Sequence, residues 1–190
     1  MSNQKFSPKN YIVKNGRKFP IDECYIADAY DNMGLSICLI VRKQPGGKYI
    51  FANFVVDRHC LGVKDAFSNC NMEEKEIEQL VEKVAMNGTV EEVSPTYFHN
   101  LIYAAIDFAG ENGFRPHKDF KLAEFVLDPE LIDDGIDGIE VGEDGKPLFI
   151  NGPFDEVDKV IATLNRNVGK GNYTCIIDED DEEDYLNPDF

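Results

Sequence analysis

The sequence predicts an α+β fold, a single domain in which an N-terminal antiparallel β-hairpin joins a mixed sheet packed by about four helices. The stretch "GLSICLIVRKQPGGKYIFANFVVD", residues 34–57, holds two apolar runs of period two separated by Pro45-Gly46-Gly47, the pattern of a hairpin. Later segments carry apolar residues at helical spacing between cap and stop residues. Consecutive strands early in the chain favour antiparallel pairing there over a wholly parallel sheet. A length of 190 residues suits one domain with a proper core.

Each element follows from its local pattern. Leu35, Ile37, Leu39 and Val41 share one face of the first hairpin strand, and Ile50, Ala52, Phe54 and Val56 share one face of the second. Tyr49, Phe51, Asn53, Val55 and Asp57 lie on the second strand's other face, which puts Asp57 at its end. Asn71 reads as an N-cap with Glu74 three residues on, followed by Ile77, Leu80, Val81 and Val84 at helical spacing and Gly88 as a stop. Ser94-Pro95 opens a second helix whose core stripe is Phe98, Leu101, Ile102, Ala105 and Ala109, ending near Gly110 or Gly113. A turn at Pro116 leads to a short helix from about Asp119 to Leu127, apolar on nearly every side and so expected to be buried. Residues 138–141 and 147–150 read as a strand pair turning at "EDGK". The last helix carries Val157, Val160, Ile161, Leu164 and Val168, is stopped by Gly169, and precedes a final strand, "YTCII". Residues 1–18 read as an N-terminal extension, 19–177 as the domain and 178–190 as an acidic disordered tail.

Charge and cysteine content narrow the function classes. The net charge is −17, and removing the eight acidic residues of the tail leaves −9 on the body. A nucleic-acid backbone would be repelled by such a surface, so nucleic acid is not an expected partner. An unknown protein partner fits better. No apolar run approaches the roughly 20 residues that span a bilayer, and the polar opening "MSNQKFSPKN" has no secretory core. The five cysteines, Cys24, Cys38, Cys60, Cys70 and Cys175, are odd in number and form no CxxC pair, which argues against a disulfide framework and a four-ligand zinc site. A cytoplasmic location with reduced thiols follows as the expectation.

The candidate chemistry centres on "VVDRHCLGVKD", residues 55–65. Cys60 is a thiol that a histidine could activate, and Asp57 could orient that histidine. Adjacent His59 is a poor base because successive extended residues point to opposite faces, so His99 or His117 would have to approach through folding. Alternatively Asp57, Asp65 and Asp119 could collect a divalent metal such as Mg or Mn, with Lys64 meeting a phosphate. Against both stands a plainer reading in which aspartates at loop starts are turn and cap residues and Cys60 closes a strand as a small hydrophobe. On the second helix His99, Tyr103 and Asp107 recur every four positions, a row that borders a pocket or is simply a polar helix face. The "GKGN" at Gly169 lacks the spacing of a phosphate-binding loop, and there is no GxGxxG.

Three blocks, "FVVDRHCLGVKDAF", "HNLIYAAIDFAGENGFRPHKDF" and "GEDGKPLFINGP" followed by "IATLNRNVGKGNY", together resemble an uncharacterised bacterial family with a VDxxCLGVKD motif, a HxLIYxA helix and a PHxDF turn. Some of its members are linked to small metal-binding SEC-C-type modules. The resemblance covers about residues 19–177 and implies matched polar positions at Asp57, Cys60, Lys64, Asp65, His99, His117 and Asp119. His59 falls at a variable position, and Ala104 stands where the family pattern has glycine. No SEC-C-like cluster of cysteine and histidine occurs in this chain, so that module's role does not carry over. The resemblance implies no particular activity.

The sequence therefore leads to a cytoplasmic binding or accessory domain, without cofactor. The alternative is a hydrolase, with either a catalytic site of Asp57, Cys60, Lys64, His99 and His117 or a metal-dependent phosphoester centre on Asp57, Asp65 and Asp119. The two differ in geometry: catalysis requires Cys60 and a histidine within hydrogen-bond reach in an open pocket.

Overall fold

The computed structural model describes residues 6–29, 34–133 and 138–177. Five strands, β1 (Ile21–Ala29), β2 (Leu35–Gln44), β3 (Lys48–Asp57), β4 (Gly62–Met72) and β5 (Gly88–Glu92), form one antiparallel sheet in the order β4-β3-β2-β1-β5. The expected hairpin is β2 and β3, closed at Gln44↔Lys48. Its two turn glycines adopt φ of +81° and +74°, a backbone region that favours glycine.

Both faces of this sheet are buried, which is why β2 and β3 read as nearly continuous apolar runs. On one face Cys38, Ile40, Ile50, Ala52, Phe54 and Val56 meet Ile12 of α1 (Pro8–Asn15), the Phe98, Leu101, Ile102 and Ala105 stripe of α3 (Pro95–Glu111), and Phe120 and Ala123 of α4 (Phe120–Ala123). On the other face Leu39, Val41, Tyr49 and Phe51 meet Ile77 and Val84 of α2 (Glu74–Ala85), which crosses from edge strand β4 to edge strand β5. The hairpin and the helix bearing His99 thus share one interior, as their apolar stripes require.

A third, smaller cluster joins Cys60 to Phe149, Val160 and Leu164. It is built by β6 (Leu148–Ile150), α5 (Val157–Asn167) and β7 (Thr174–Ile176). Strands β6 and β7 pair in parallel, so the only parallel pairing among the described residues lies in this small unit, apart from the main sheet.

Several local expectations are corrected. Residues 8–15, read as part of an extension, form α1, and Ile12 is 1% exposed in the main core. Strand β4 runs through Asn71, which is no N-cap: it sits at φ +58° beside a register shift, and its N–H donates to Gln44 Oε1. Helix α2 starts instead after Glu73, whose N–H donates to Glu76 Oε2 at 2.8 Å. The pairing of 138–141 with 147–150 does not form. Gly142 N–H donates to Arg58 O and only Glu143↔Lys146 bridges the turn, leaving β6 free to pair with β7. The acidic tail, 178–190, lies outside the described residues.

The segment after α3 is held by cations at its carbonyl ends. Arg42, 3% exposed, donates from Nε to Val126 O and from Nη1 to Phe19 O, and Arg17 donates to Leu127 O and Glu124 O. Such placement meets the orphan carbonyls and the negative end of the short helix. His99, fully buried beside them, bridges the segment to α3: Nδ1 lies 2.5 Å from Pro95 O and Nε2 accepts from Asp128 N–H at 2.9 Å. Only the neutral ring with its proton on Nδ1 satisfies both contacts.

Burial lowers the His99 pKa below its ordinary 6.5, and neighbouring Arg42 adds to the effect while Asp128 and the Pro95 carbonyl oppose it. A histidine with a depressed folded pKa leaves the unfolded chain binding more protons, so its contribution to stability is present above about pH 6.5 and is lost as pH falls. The stability difference between the protein and His99→Gln, from urea unfolding, is expected to shrink from about pH 7.5 to about pH 5.5, by at most about 1.4 kcal/mol per unit. A difference that stays constant across that range would show that His99 titrates normally in the fold.

Candidate functional site

Strand β3 ends at Asp57 and β4 begins at Gly62, so "DRHCL" is the connection between them. Asp57 is 5% exposed, and its carboxylate organises the turn: Oδ1 accepts from His59 N–H (2.9 Å) and Cys60 N–H (3.0 Å), and Oδ2 from Leu61 N–H (3.1 Å). Burial pushes the Asp57 pKa up, while these three N–H groups and the Lys64 charge pull against it. The carboxylate is fully engaged by the backbone.

The turn's own carbonyls then hold the C-terminal unit. Arg58 O accepts from Gly142 N–H at 3.0 Å, and His59 O accepts from Leu148 N–H at 3.1 Å. Gly62, at φ +69°, lies so close to α3 that a Cβ there would meet Ala109 Cβ at 2.9 Å and Ala105 O at 3.1 Å. The close helix approach is therefore at Ala105 and Ala109, one and five positions after Ala104.

Cys60 is fully buried in the third apolar cluster. Desolvation raises its thiol pKa well above the ordinary value, with nearby Asp57 and Cys175 adding to the shift. Thiolate chemistry needs the opposite surroundings. Of the two histidines proposed as its base, His99 does not approach it, and His117 lies on the cleft side of β4, held by its N–H to Val63 O. His99 sits with Arg42, whose strand partner is Ile50, whereas Asp57 is paired with Leu35 at the far end of the same hairpin. That is a separation of roughly 20 Å along the strand. The grouping of Cys60 with His99 is corrected: packing seals each in a different cluster.

Other candidates do converge. A β-bulge sets Val56 opposite Val63 and Val55 opposite Asp65, leaving Lys64 without a cross-strand partner. Bulges re-aim side chains, and Lys64 Nζ meets Asp155 Oδ2 at 2.6 Å, an oxygen that also accepts from Gly152 N–H at 2.9 Å. The pair is mostly buried, with side-chain exposures of 19% and 11%. Nearby, His117 N–H donates to Val63 O, and its Nδ1 lies 3.4 Å from Asp65 Oδ1 and 3.7 Å from Asp119 Oδ2. Asp65 and Asp119 thus meet at His117 on the surface. Asp57 is not with them, because its oxygens are consumed by the turn. Among the described residues no group of three or more His, Cys, Asp or Glu side chains forms a cation site.

Lys64 and His117 open onto a cleft of about 460 Å³. One wall is Leu61 and Val63, a second is Phe114 and Arg115 from the segment after α3, and the third is Lys159, Val160 and Thr163 of α5. Phe154, 93% exposed, stands on the lip beside Asp155 and Glu156. Lys159 pairs with Glu156 at 2.5 Å, both exposed. Three cations, Lys64, Arg115 and Lys159, therefore face two carboxylates in a strongly acidic protein.

Sequence reasoning missed Arg115, Phe154, Asp155 and Lys159. Asp155 is 91 residues from Lys64, and no periodicity links them. The available signal was that the polar residues of "FRPHKDF" and "CLGVKD" stand out in the sequence, and both segments line this cleft.

Comparison with known protein families, curated proteins and solved structures finds no match for the chain. Among the described residues no helix is long and apolar enough to cross a membrane.

Asp57→Ala removes the acceptor for three N–H groups and is expected to destabilise the protein by about 2 to 4 kcal/mol. Amide exchange at Gly142 and Leu148 should accelerate with it, since their acceptors lie on the same turn. A variant as stable as the parent would show that water replaces the carboxylate. Native alkylation with iodoacetamide, followed by peptide mapping, is expected to label Cys175, the one cysteine that is not buried, well before Cys60. Early labelling of Cys60 would reinstate it as an accessible nucleophile.

Proposed function

We propose that the protein is a non-catalytic binding or accessory domain whose ligand site is the cleft between β4, the 114–117 segment and α5. The ligand we infer is a partner-protein segment that presents a carboxylate next to an aromatic or aliphatic side chain. The observation that carries this reading is the composition of the cleft: apolar walls of Leu61, Val63, Phe114 and Val160, an exposed Phe154 at the lip, and Arg115, which has no ion-pair partner among the described residues. Recognition sites commonly combine an apolar lining with a few placed polar groups.

The same surroundings count against a hydrolase. Cys60 is sealed behind the cleft wall, Asp57 is engaged by the turn, and Lys64 is neutralised by Asp155. A cytoplasmic location belongs to the proposal and is supported by free thiols at all five cysteines. So does membership of the bacterial family that the motifs resemble, supported by two of its motif segments, "CLGVKD" and "RPHKDF", lining one cleft. The net charge of −17 supports a protein rather than a nucleic-acid partner.

The test uses phenylacetate as a minimal probe and phenethylamine as its cationic counterpart, read by amide chemical shifts. Phenylacetate is expected to perturb residues 61–64, 114–117 and 154–160, phenethylamine to leave them unchanged, and Arg115→Glu to abolish the response. A response that survives in Arg115→Glu, or equal responses to both probes, would overturn the proposal.

A further inference from the structure

A second groove of about 590 Å³ lies on the opposite face of the sheet, between α2 and strands β1 to β3. Its floor is aromatic: Tyr25 and Tyr49 lie beneath the helix, flanked by Ile77 and Val81. Its helical wall carries Glu74, Glu78 and Glu82, spaced four apart on one stripe of α2. Like charges at that spacing destabilise a helix, and among the described residues none of the three has an ion-pair partner. Asp22 and Glu23 close the strand side.

One contact shows what this environment accepts. The Lys43 ammonium, the one cation lining the groove among the described residues, lies 5.8 Å from the centre of the Tyr49 ring and makes no salt bridge with any of them, so the aromatic floor already receives a positive group. Burial pushes the Tyr25 phenol pKa up to about 12, and the carboxylates of Glu23, Glu92 and Asp22 add to the shift.

We propose that this groove binds a basic, extended segment of a partner protein, seating an arginine or lysine side chain on the tyrosine floor between the carboxylates of α2 and those of β1. Lys43 occupies part of that position in the free protein and gives way to the incoming cation. The proposal is independent of the cleft on the other side of the sheet and shares none of its residues.

The protein contains no tryptophan, so a Trp-tagged peptide with two arginines at alternate positions reports its own binding by fluorescence anisotropy. In about 0.15 M salt, where the Debye length is about 8 Å, remote charges contribute little. Glu78→Gln with Glu82→Gln is expected to weaken binding about fivefold, whereas Asp107→Asn with Glu111→Gln, the same charge change at two exposed positions of α3, leaves it within about twofold. Lys43→Met should tighten binding and Lys121→Met should not, with ring resonances of Tyr25 and Tyr49 shifting on titration. Equal losses in the two double variants, no saturable binding, or spermine competing as well as the peptide would overturn the proposal.

Discussion

The carboxylate of Asp57 is the point on which the arrangement of the molecule turns. By accepting three consecutive N–H groups it fixes residues 59–61 in one conformation, and the consequences run in three directions. Gly62 is brought onto α3, Cys60 is delivered into the third apolar cluster, and the carbonyls of Arg58 and His59 are left to bind Gly142 and Leu148. A buried carboxylate is expensive unless hydrogen-bonded. Here the hydrogen bonds that offset its desolvation are the same ones that define the turn, so an acidic residue at the end of an apolar strand acts as a structural joint.

A sheet covered on both faces by helices of unequal extent leaves grooves at the margins of that cover. One face is closed by α1, α3 and α4, and the C-terminal unit abuts its rim where β3 turns into β4. Among the described residues the other is closed by α2 alone. The two margins differ in chemistry. The rim beside α5 collects Lys64, Arg115 and Lys159, and the margin beside α2 collects glutamates over tyrosines. A net charge of −17 is therefore distributed unevenly, and the sign of each groove is set by the few residues that line it.

Burial sorts the titratable groups into structural and accessible sets. His99, Arg42, Cys60 and Asp57 are all nearly inaccessible, and each has a packing or hydrogen-bonding task. His117, Asp65, Asp119 and Arg115 remain at the surface, where a ligand can meet them. Motif residues close in sequence fall on both sides of this division: Cys60 faces inward and Lys64 outward, four positions apart.

The sequence by itself determined the β2–β3 hairpin, the Ser94-Pro95 start of α3 with its apolar stripe, and the α5 stripe, because each rests on contacts between residues a few positions apart whose periodicity is fixed by backbone geometry. It also singled out Asp57, Lys64 and His117, of which Lys64 and His117 line one cleft and Asp57 holds the turn beside it. Tertiary structure alone decided the rest. The bulge that frees Lys64, the sealing of Cys60, the removal of His99 to the far end of the sheet and the parallel pairing of β6 with β7 all depend on which distant segments compete for the same backbone groups and the same buried space. Those contacts span tens of residues, and no local period encodes them.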